Sequence, residues 1–184
     1  MSRSRTRQLL NAAATGGAAR VARLLESGVS PETRDDRGCT PLMLAARKNH
    51  TSVVLELLQH GARVDNDSQG WTALDYATAE GYSETAKLLI AHGANVRDAS
   101  ATLNLYGTVV GGQTPLHVAA WNGGTAAVPV LLGAGAVPTH ETCRATPPLT
   151  TPPLKGTRTF FGFCSIMVRI RTTPLASTAE HFYT

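Results

Sequence analysis

The sequence Gly112-Gln-Thr-Pro-Leu-His-Val-Ala-Ala120 occurs in related form twice more in this chain. The other copies are Gly38-Cys-Thr-Pro-Leu-Met-Leu-Ala-Ala46 and Gly70-Trp-Thr-Ala-Leu-Asp-Tyr-Ala-Thr78. Each copy precedes a second apolar segment that ends at a glycine, and an earlier, atypical unit ends in the same way. These glycines are Gly28, Gly61, Gly93 and Gly135. Their spacings of 33, 32 and 42 residues indicate a period near 33 with one insertion.

The residues of each copy have physical roles at the start of a helix. Thr40 and Thr114 stand where a side-chain hydroxyl caps unpaired backbone N–H groups. Pro41 follows at the first helical position, where its missing N–H costs nothing. The second apolar segment has the spacing of a core-facing helical stripe, and the glycine after it ends the helix. One such helix pair cannot bury its apolar face alone, so the pattern predicts stacked helix–turn–helix units with a shared core.

The repeat resembles the ankyrin repeat, whose hallmark is Thr-Pro-Leu-His-x-Ala-Ala within about 33 residues. The resemblance covers residues 7–138 and implies an all-α ankyrin-repeat solenoid of about four helix-turn-helix units. The predicted divisions are a basic extension at 1–6, repeats at 7–37, 38–69, 70–98 and 111–138, an insertion at 99–110, and a Pro-rich, irregular tail at 139–184.

Two repeats depart from the pattern. Repeat three has Ala73 in place of the proline and Asp75 in place of the histidine, which is expected to weaken its helix start. In repeat four, Gly124 replaces the usual histidine before the second helix, and Pro129 falls within that helix. A proline beyond the first turn would cost about 3 kcal/mol or more, so repeat four is expected to be the least secure unit.

The insertion and the tail each allow more than one interpretation. The insertion is apolar for a solvated loop, and it is either a tolerated surface loop or part of a binding side. In the tail, the segment Phe160–Ile170 is apolar with strong β-propensity. It could cap the apolar flank of repeat four, act as an interaction motif, or belong to an unrelated disordered tail, and we favour the last.

The resemblance implies a concave protein-binding surface formed by the hairpin tips and the exposed side of the first helices. The positions carried over to this chain are Asp36, Arg37, Cys39, Arg47, Lys48, Ser68, Gln69, Trp71, Glu80, Gln113, Trp121 and Asn122. Trp71 and Trp121 are the predicted anchors, because tryptophan is enriched among interface hot spots and a thin stack buries it poorly. Arg47 and Lys48 flank them, and Cys39 is expected to be exposed at a hairpin tip.

Catalytic chemistry is not predicted. The six histidines form no metal-ligand spacing with carboxylates or cysteines, and no nucleophile, phosphate-binding or zinc-protease motif occurs. We therefore expect no catalytic residue, metal, cofactor or small-molecule substrate, and a role as scaffold, adaptor or inhibitor for another protein. The alternatives are a substrate-recognition subunit of a ubiquitin ligase, nucleic-acid or membrane-surface association through basic ends, and an enzyme or redox sensor that uses Cys39.

Charge and cysteine content limit the alternatives. The chain has 17 Lys and Arg against 13 Asp and Glu, a formal charge of +4. Residues before Val21 carry +4, residues 21–136 carry −3 and later residues carry +3, so the repeats themselves do not favour nucleic acid. The Arg-rich start has the composition of a transit peptide, but the repeat pattern favours the start of a folded domain. An odd number of cysteines without a C-x-x-C pair indicates a reducing compartment, cytoplasm or nucleus, and no apolar run is long enough for membrane insertion.

Overall fold

Helix pairs follow one another along the chain in a computed structural model that describes residues 2–99, 101–105 and 108–138. The described part contains eight α-helices. They are α1 Ser2–Thr15, α2 Ala18–Glu26, α3 Pro41–Arg47, α4 Thr51–Gln59, α5 Ala73–Ala79, α6 Ser83–Ala91, α7 Pro115–Asn122 and α8 Val128–Gly133. The first helices of the pairs pack on one another in the order α1, α3, α5, α7, and the second helices in the order α2, α4, α6, α8. The predicted solenoid of four helical units is confirmed.

Two antiparallel hairpins join the later repeats. Strand β1 (Asp67–Ser68) pairs with β2 (Trp71–Thr72), and β3 (Ala101–Leu105) pairs with β4 (Thr108–Gln113). The second hairpin is the predicted insertion, which therefore has regular structure. Strand β3 lies against β2, and both strands of this hairpin contact α7.

One apolar core runs through all four repeats. Its largest fully buried side chains include a leucine or valine from each of the described α-helices. They are Leu9, Val21, Leu42, Val53, Val54, Leu57, Leu74, Leu89, Leu116 and Leu131. Small residues such as Ala45, Ala77 and Ala119 are buried where the first helices approach one another. The continuity of this core explains why the units depend on their neighbours.

The first helices of repeats two to four begin with a capping threonine, as predicted. In each repeat, the side chain three residues later accepts a hydrogen bond from the backbone N–H of that threonine. The accepting atoms are Met43 Sδ at 3.4 Å, Asp75 Oδ2 at 2.9 Å and His117 Nδ1 at 3.3 Å. Repeat three thus retains a reciprocal cap despite its departure from the pattern, because the carboxylate takes the place of the imidazole.

Burial raises the pKa of the Asp75 carboxyl group. Its side chain is 2% exposed, and its Oδ1 receives no hydrogen bond from any described group. Burial raises the pKa of Asp75 to about 7, the nearby Asp98 carboxylate adds to the rise, and the hydrogen bonds from Thr72 oppose it. The cap of repeat three therefore contains a carboxyl group that titrates near neutral pH.

The helices at the two ends of the stack differ from those between them. Helix α1 begins at Ser2, so the first helix includes residues 2–6, which the sequence placed in a basic extension. Pro129 is the second residue of α8, within the first turn, where its missing N–H leaves no helical bond unmade. Helix α8 is six residues long, against nine for α4 and α6, and a 3-10 turn at Thr125–Ala127 precedes it. The predicted disorder of the tail at 139–184 lies outside the described residues.

Candidate protein-binding surface

An aromatic pair at the start of repeat three lies beside an arginine at the end of the first helix of repeat two. Trp71 of β2 and Tyr76 of α5 have ring centroids 5.2 Å apart, with the rings inclined at 40°. The guanidinium carbon of Arg47, the last residue of α3, lies 5.8 Å from the centroid of the Tyr76 ring. All three side chains are half-buried, so each presents part of its surface to solvent. Arginine over an aromatic face is a cation–π arrangement.

A second apolar group continues from this pair toward repeat four. Trp71, Ala79 and Trp121 are partly buried and pack around the fully covered side chains of Ala101 and Val118. Ala101 belongs to β3, so the inserted hairpin supports the tryptophans from beneath. We define the aromatic surface as Arg47, Trp71, Tyr76, Ala79 and Trp121.

Tyr76 is a member of this surface that the sequence did not predict. It occupies the position of Leu44 in repeat two and Val118 in repeat four, both of which are buried. A tyrosine at that position keeps its hydroxyl near the edge, 4.0 Å from the Sγ atom of Cys39. Burial, with the adjacent Cys39 thiol, raises the pKa of Tyr76 to about 12. The signal in the sequence was the polar aromatic residue at an otherwise aliphatic inward position.

Two predicted contact residues are buried. Cys39 is 3% exposed and Ser68 is 6% exposed, so the expectation of an exposed Cys39 is wrong. Cys39 Sγ lies 3.7 Å from Ser68 Oγ, and Ser68 Oγ donates a 2.8 Å hydrogen bond to the Arg37 carbonyl oxygen. These small polar groups join the tips of two successive repeats, which removes their side chains from reach of a partner.

The other predicted residues remain on the surface of the stack. Asp36, Arg37, Lys48, Gln69, Glu80 and Asn122 are exposed, and Gln113 is half-buried. Asn122 donates from Nδ2 to the Val118 carbonyl oxygen at 3.0 Å, which ends α7. Within the described ranges, no carboxylate forms an ion pair with Arg47 or Lys48. Their involvement with a partner stays a prediction.

A cavity lies at repeats one and two, at the other end of the stack from the tryptophans. Its volume is about 1020 Å³, and its lining includes Arg7 and Asn11 of α1, Asp35 and Asp36 of the tip of repeat two, and Leu44 of α3. Asp36 is thus the predicted residue that faces this cavity, whereas the tryptophans belong to repeats three and four. The predicted residues consequently fall into two groups along the stack.

In residues 2–99, 101–105 and 108–138, histidine, cysteine, aspartate and glutamate side chains form no group of three suited to a metal ion. None of the helices in these ranges is long and apolar enough to cross a membrane.

Family models for ankyrin repeats match most of the repeat region. The model for ankyrin repeats in three copies covers residues 9–100, and the model for a single ankyrin repeat covers residues 111–142. Together they span more than half of the chain, which belongs to the ankyrin repeat family. Proteins of this family are generally protein-interaction modules and are typically non-catalytic.

One curated relative is the potassium channel AKT2/3 of Arabidopsis thaliana. It is 39% identical to this chain over 67 residues, which is 36% of this chain and 8% of the channel. The chain therefore spans a small part of that relative, and the similarity concerns the repeats.

Proposed function

We propose that this protein binds a partner protein through the aromatic surface and serves as a scaffold, adaptor or inhibitor without catalysis. The family supports the class of function, and the aromatic surface supports the location. Cys39 is a free thiol, and the odd number of cysteines without a C-x-x-C motif in the sequence supports a reducing compartment, the cytoplasm or the nucleus.

The observation that carries this proposal is the contact of Trp71 with Tyr76, beside Arg47. Tryptophan, tyrosine and arginine are the residues most enriched in interface hot spots. The three side chains come from two repeats and keep a solvent-facing part, while the apolar core beneath is already filled by leucines and valines. Large half-exposed aromatic side chains on a rigid helical support are suited to anchoring a partner.

The test compares tryptophan variants of the full chain. Trp71→Ala and Trp121→Ala should each weaken partner binding by about 2 kcal/mol or more, as hot-spot truncations do. The helical circular dichroism should be retained, because neither indole is fully buried. Partners are first obtained by affinity capture with the wild-type chain, and each is then titrated against the purified variants by calorimetry.

Leu55→Ala is the matched control, since Leu55 is an exposed apolar residue, 38% accessible, on α4 in the layer of second helices. It should leave partner affinity unchanged. If a tryptophan variant unfolds the stack, or if Leu55→Ala reduces affinity as much as the tryptophan variants, the proposed location of the binding surface is wrong.

A further inference from the structure

We propose that the aromatic surface takes an extended acidic peptide segment, with its carboxylates at Arg47 and Lys48 and an apolar side chain against Trp71 and Trp121. This proposal rests on the proposed function and adds the chemistry and the direction of the partner.

The acids near the surface are mostly bound by the protein's own groups. Asp35 Oδ1 accepts hydrogen bonds from the backbone N–H groups of Arg37 and Cys39, at 2.9 and 2.8 Å. Asp67 Oδ2 accepts from the N–H of Gly70 at 3.0 Å, and Asp75 is buried in its cap. These carboxylates hold turns and a helix start in place, and in the described ranges none of them forms an ion pair with Arg47 or Lys48.

The cations at the end of α3 are not bound in this way. Arg47 is the last residue of α3 and Lys48 follows it as the C-cap, with its side chain exposed. No carboxylate in the described ranges forms an ion pair with either one. By contrast, Lys87 on α6 is paired with Glu84 at 2.6 Å. Two adjacent cations beside an aromatic face complement the charge of an acidic segment, and such complementarity determines orientation and partner choice.

Equivalent positions of successive repeats give the surface a direction. Arg47, Ala79 and Trp121 occupy the same position in repeats two, three and four. The row therefore runs from a cation through a small residue to an indole. Ala79 packs with the two tryptophans around Ala101 and Val118. Because its side chain is a single methyl group, it leaves room beside them.

The positions one residue further along each repeat form a second row, which limits where the carboxylates of the bound segment lie. Lys48 is followed in this row by Glu80 in repeat three, which is exposed. Because Glu80 repels a second carboxylate, the acidic end of the segment belongs at repeat two and the apolar end at repeats three and four. The chain's own tail does not have this chemistry, because residues after 136 carry five bases and two acids.

The experiment selects 12-residue peptides from a random displayed library on the full chain at physiological salt. The expected peptides have aspartate or glutamate beside an aromatic or leucine residue. For the tightest of them, Trp121→Ala should weaken binding about 30-fold, the equivalent of a hot spot of about 2 kcal/mol. The double variant Arg47→Glu, Lys48→Glu should weaken it about tenfold, and Glu80→Lys should strengthen it about threefold.

Lys87→Glu is the charge control, because it reverses one positive charge on the layer of second helices, half of the change made in the double variant, and should leave affinity unchanged. Selection of basic or uncharged peptides, an absence of selected peptides, or equal affinity in the charge-reversal variants would overturn the proposal. So would Trp121-dependent binding of a synthetic peptide of residues 139–184. If selected peptides depend on Trp121 but not on charge, the binding surface stands and only its chemistry is wrong; if they are indifferent to both tryptophans, the proposed function fails as well.

Discussion

Repeats three and four solve the same structural problems with different residues. At the start of the first helix, Asp75 of repeat three and His117 of repeat four each accept a hydrogen bond from the backbone N–H of the threonine three residues earlier. In both cases the threonine hydroxyl lies 2.7 Å from the same accepting atom. The Thr114 N–H donates to His117 Nδ1 at 3.3 Å, so an imidazole nitrogen accepts this hydrogen bond in the cap of repeat four. Repeat three uses a buried carboxyl group for the same purpose.

At the start of the second helix, repeat three is the ordinary repeat and repeat four is the one that departs from the pattern. Repeat three has Tyr82 before an ordinary helix of nine residues, whereas repeat four has Gly124 before a short 3-10 turn and a helix of six. In repeat two the corresponding residue is His50, whose Nε2 lies 3.2 Å from the Ala14 carbonyl oxygen of repeat one. Gly124 has no side chain for such a contact, and its backbone lies directly on repeat three.

Repeats three and four therefore show that departures from a repeat pattern affect a stack in distinct ways. The departure in repeat three preserves the geometry of the cap but makes stability depend on pH. The departures in repeat four preserve the cap chemistry but shorten the second helix and bring two backbones into direct contact. Nearest-neighbour coupling passes both effects to the whole stack.

The largest expected effect concerns pH and Asp75. In the unfolded chain this carboxyl releases its proton near pH 4, whereas the folded chain retains the proton until about pH 7. The unfolded state thus binds fewer protons between these values, so the free energy of unfolding should fall as pH rises from 4 to 7. The shift corresponds to at most about 4 kcal/mol. Asp75→Asn should remove this dependence, as measured by urea unfolding at pH 4.5, 6 and 7.5.

The difference between wild type and Asp75→Asn isolates this carboxyl, because the other acids titrate in both proteins. Asp36→Asn, which changes an exposed carboxylate, is the control and should show a nearly constant difference from wild type. A constant difference for Asp75→Asn would mean that the buried group has an ordinary pKa, and the contrast between the two caps would disappear.

The next effect concerns the contact between the two repeats at Gly124. A Cβ atom at this position would overlap the Thr78 carbonyl oxygen and lie 3.1 Å from the Ala79 carbonyl oxygen. Backbone atoms cannot move aside as a flexible side chain can, so Gly124→Ala should destabilise the protein by about 3 kcal/mol. Urea unfolding at constant pH measures this loss.

Gly17→Ala is the matched control, because Gly17 is the corresponding glycine in repeat one. A Cβ there would have its nearest neighbour at 3.7 Å, an ordinary contact, and its φ of −78° suits any residue. It should change stability by less than about 1 kcal/mol. Equal losses in the two variants would show that repeats three and four are not packed more closely than the first two.

Much of this fold could be predicted from the sequence, because the repeated threonine, proline and glycine positions have local physical roles. The caps at Thr40 and Thr114 needed only the spacing to the next residues of the helix. The hairpin made from the insertion could not be predicted, since its strands are held by pairing with each other and by contact with α7. The retained cap at Asp75 depends on a hydrogen bond whose acceptor can be one of several residue types.

The candidate surface could be predicted in part. Trp71 and Trp121 were identified from their positions, and the structure places both beside the inserted hairpin. Cys39 and Ser68 were misassigned, because the contact between successive tips that buries them forms across 29 residues of sequence. Tyr76 was missed since its position is aliphatic and buried in the neighbouring repeats, and only its contacts with Arg47 and Trp71 place it in the candidate surface.

The smallest expected effect concerns the end of α8, where Gly133 stands at the position that Ala91 occupies in repeat three. A Cβ at Gly133 would meet no atom within 4 Å, and the residue is helical. Gly133→Ala should therefore raise the free energy of unfolding by about 0.5 to 1 kcal/mol, through the lower backbone entropy of the unfolded chain. Gly135→Ala is the control and should lower it, because its φ is +87°. If Gly133→Ala does not stabilise the protein, the glycine does not limit α8, and the weakness of repeat four lies in its entry alone.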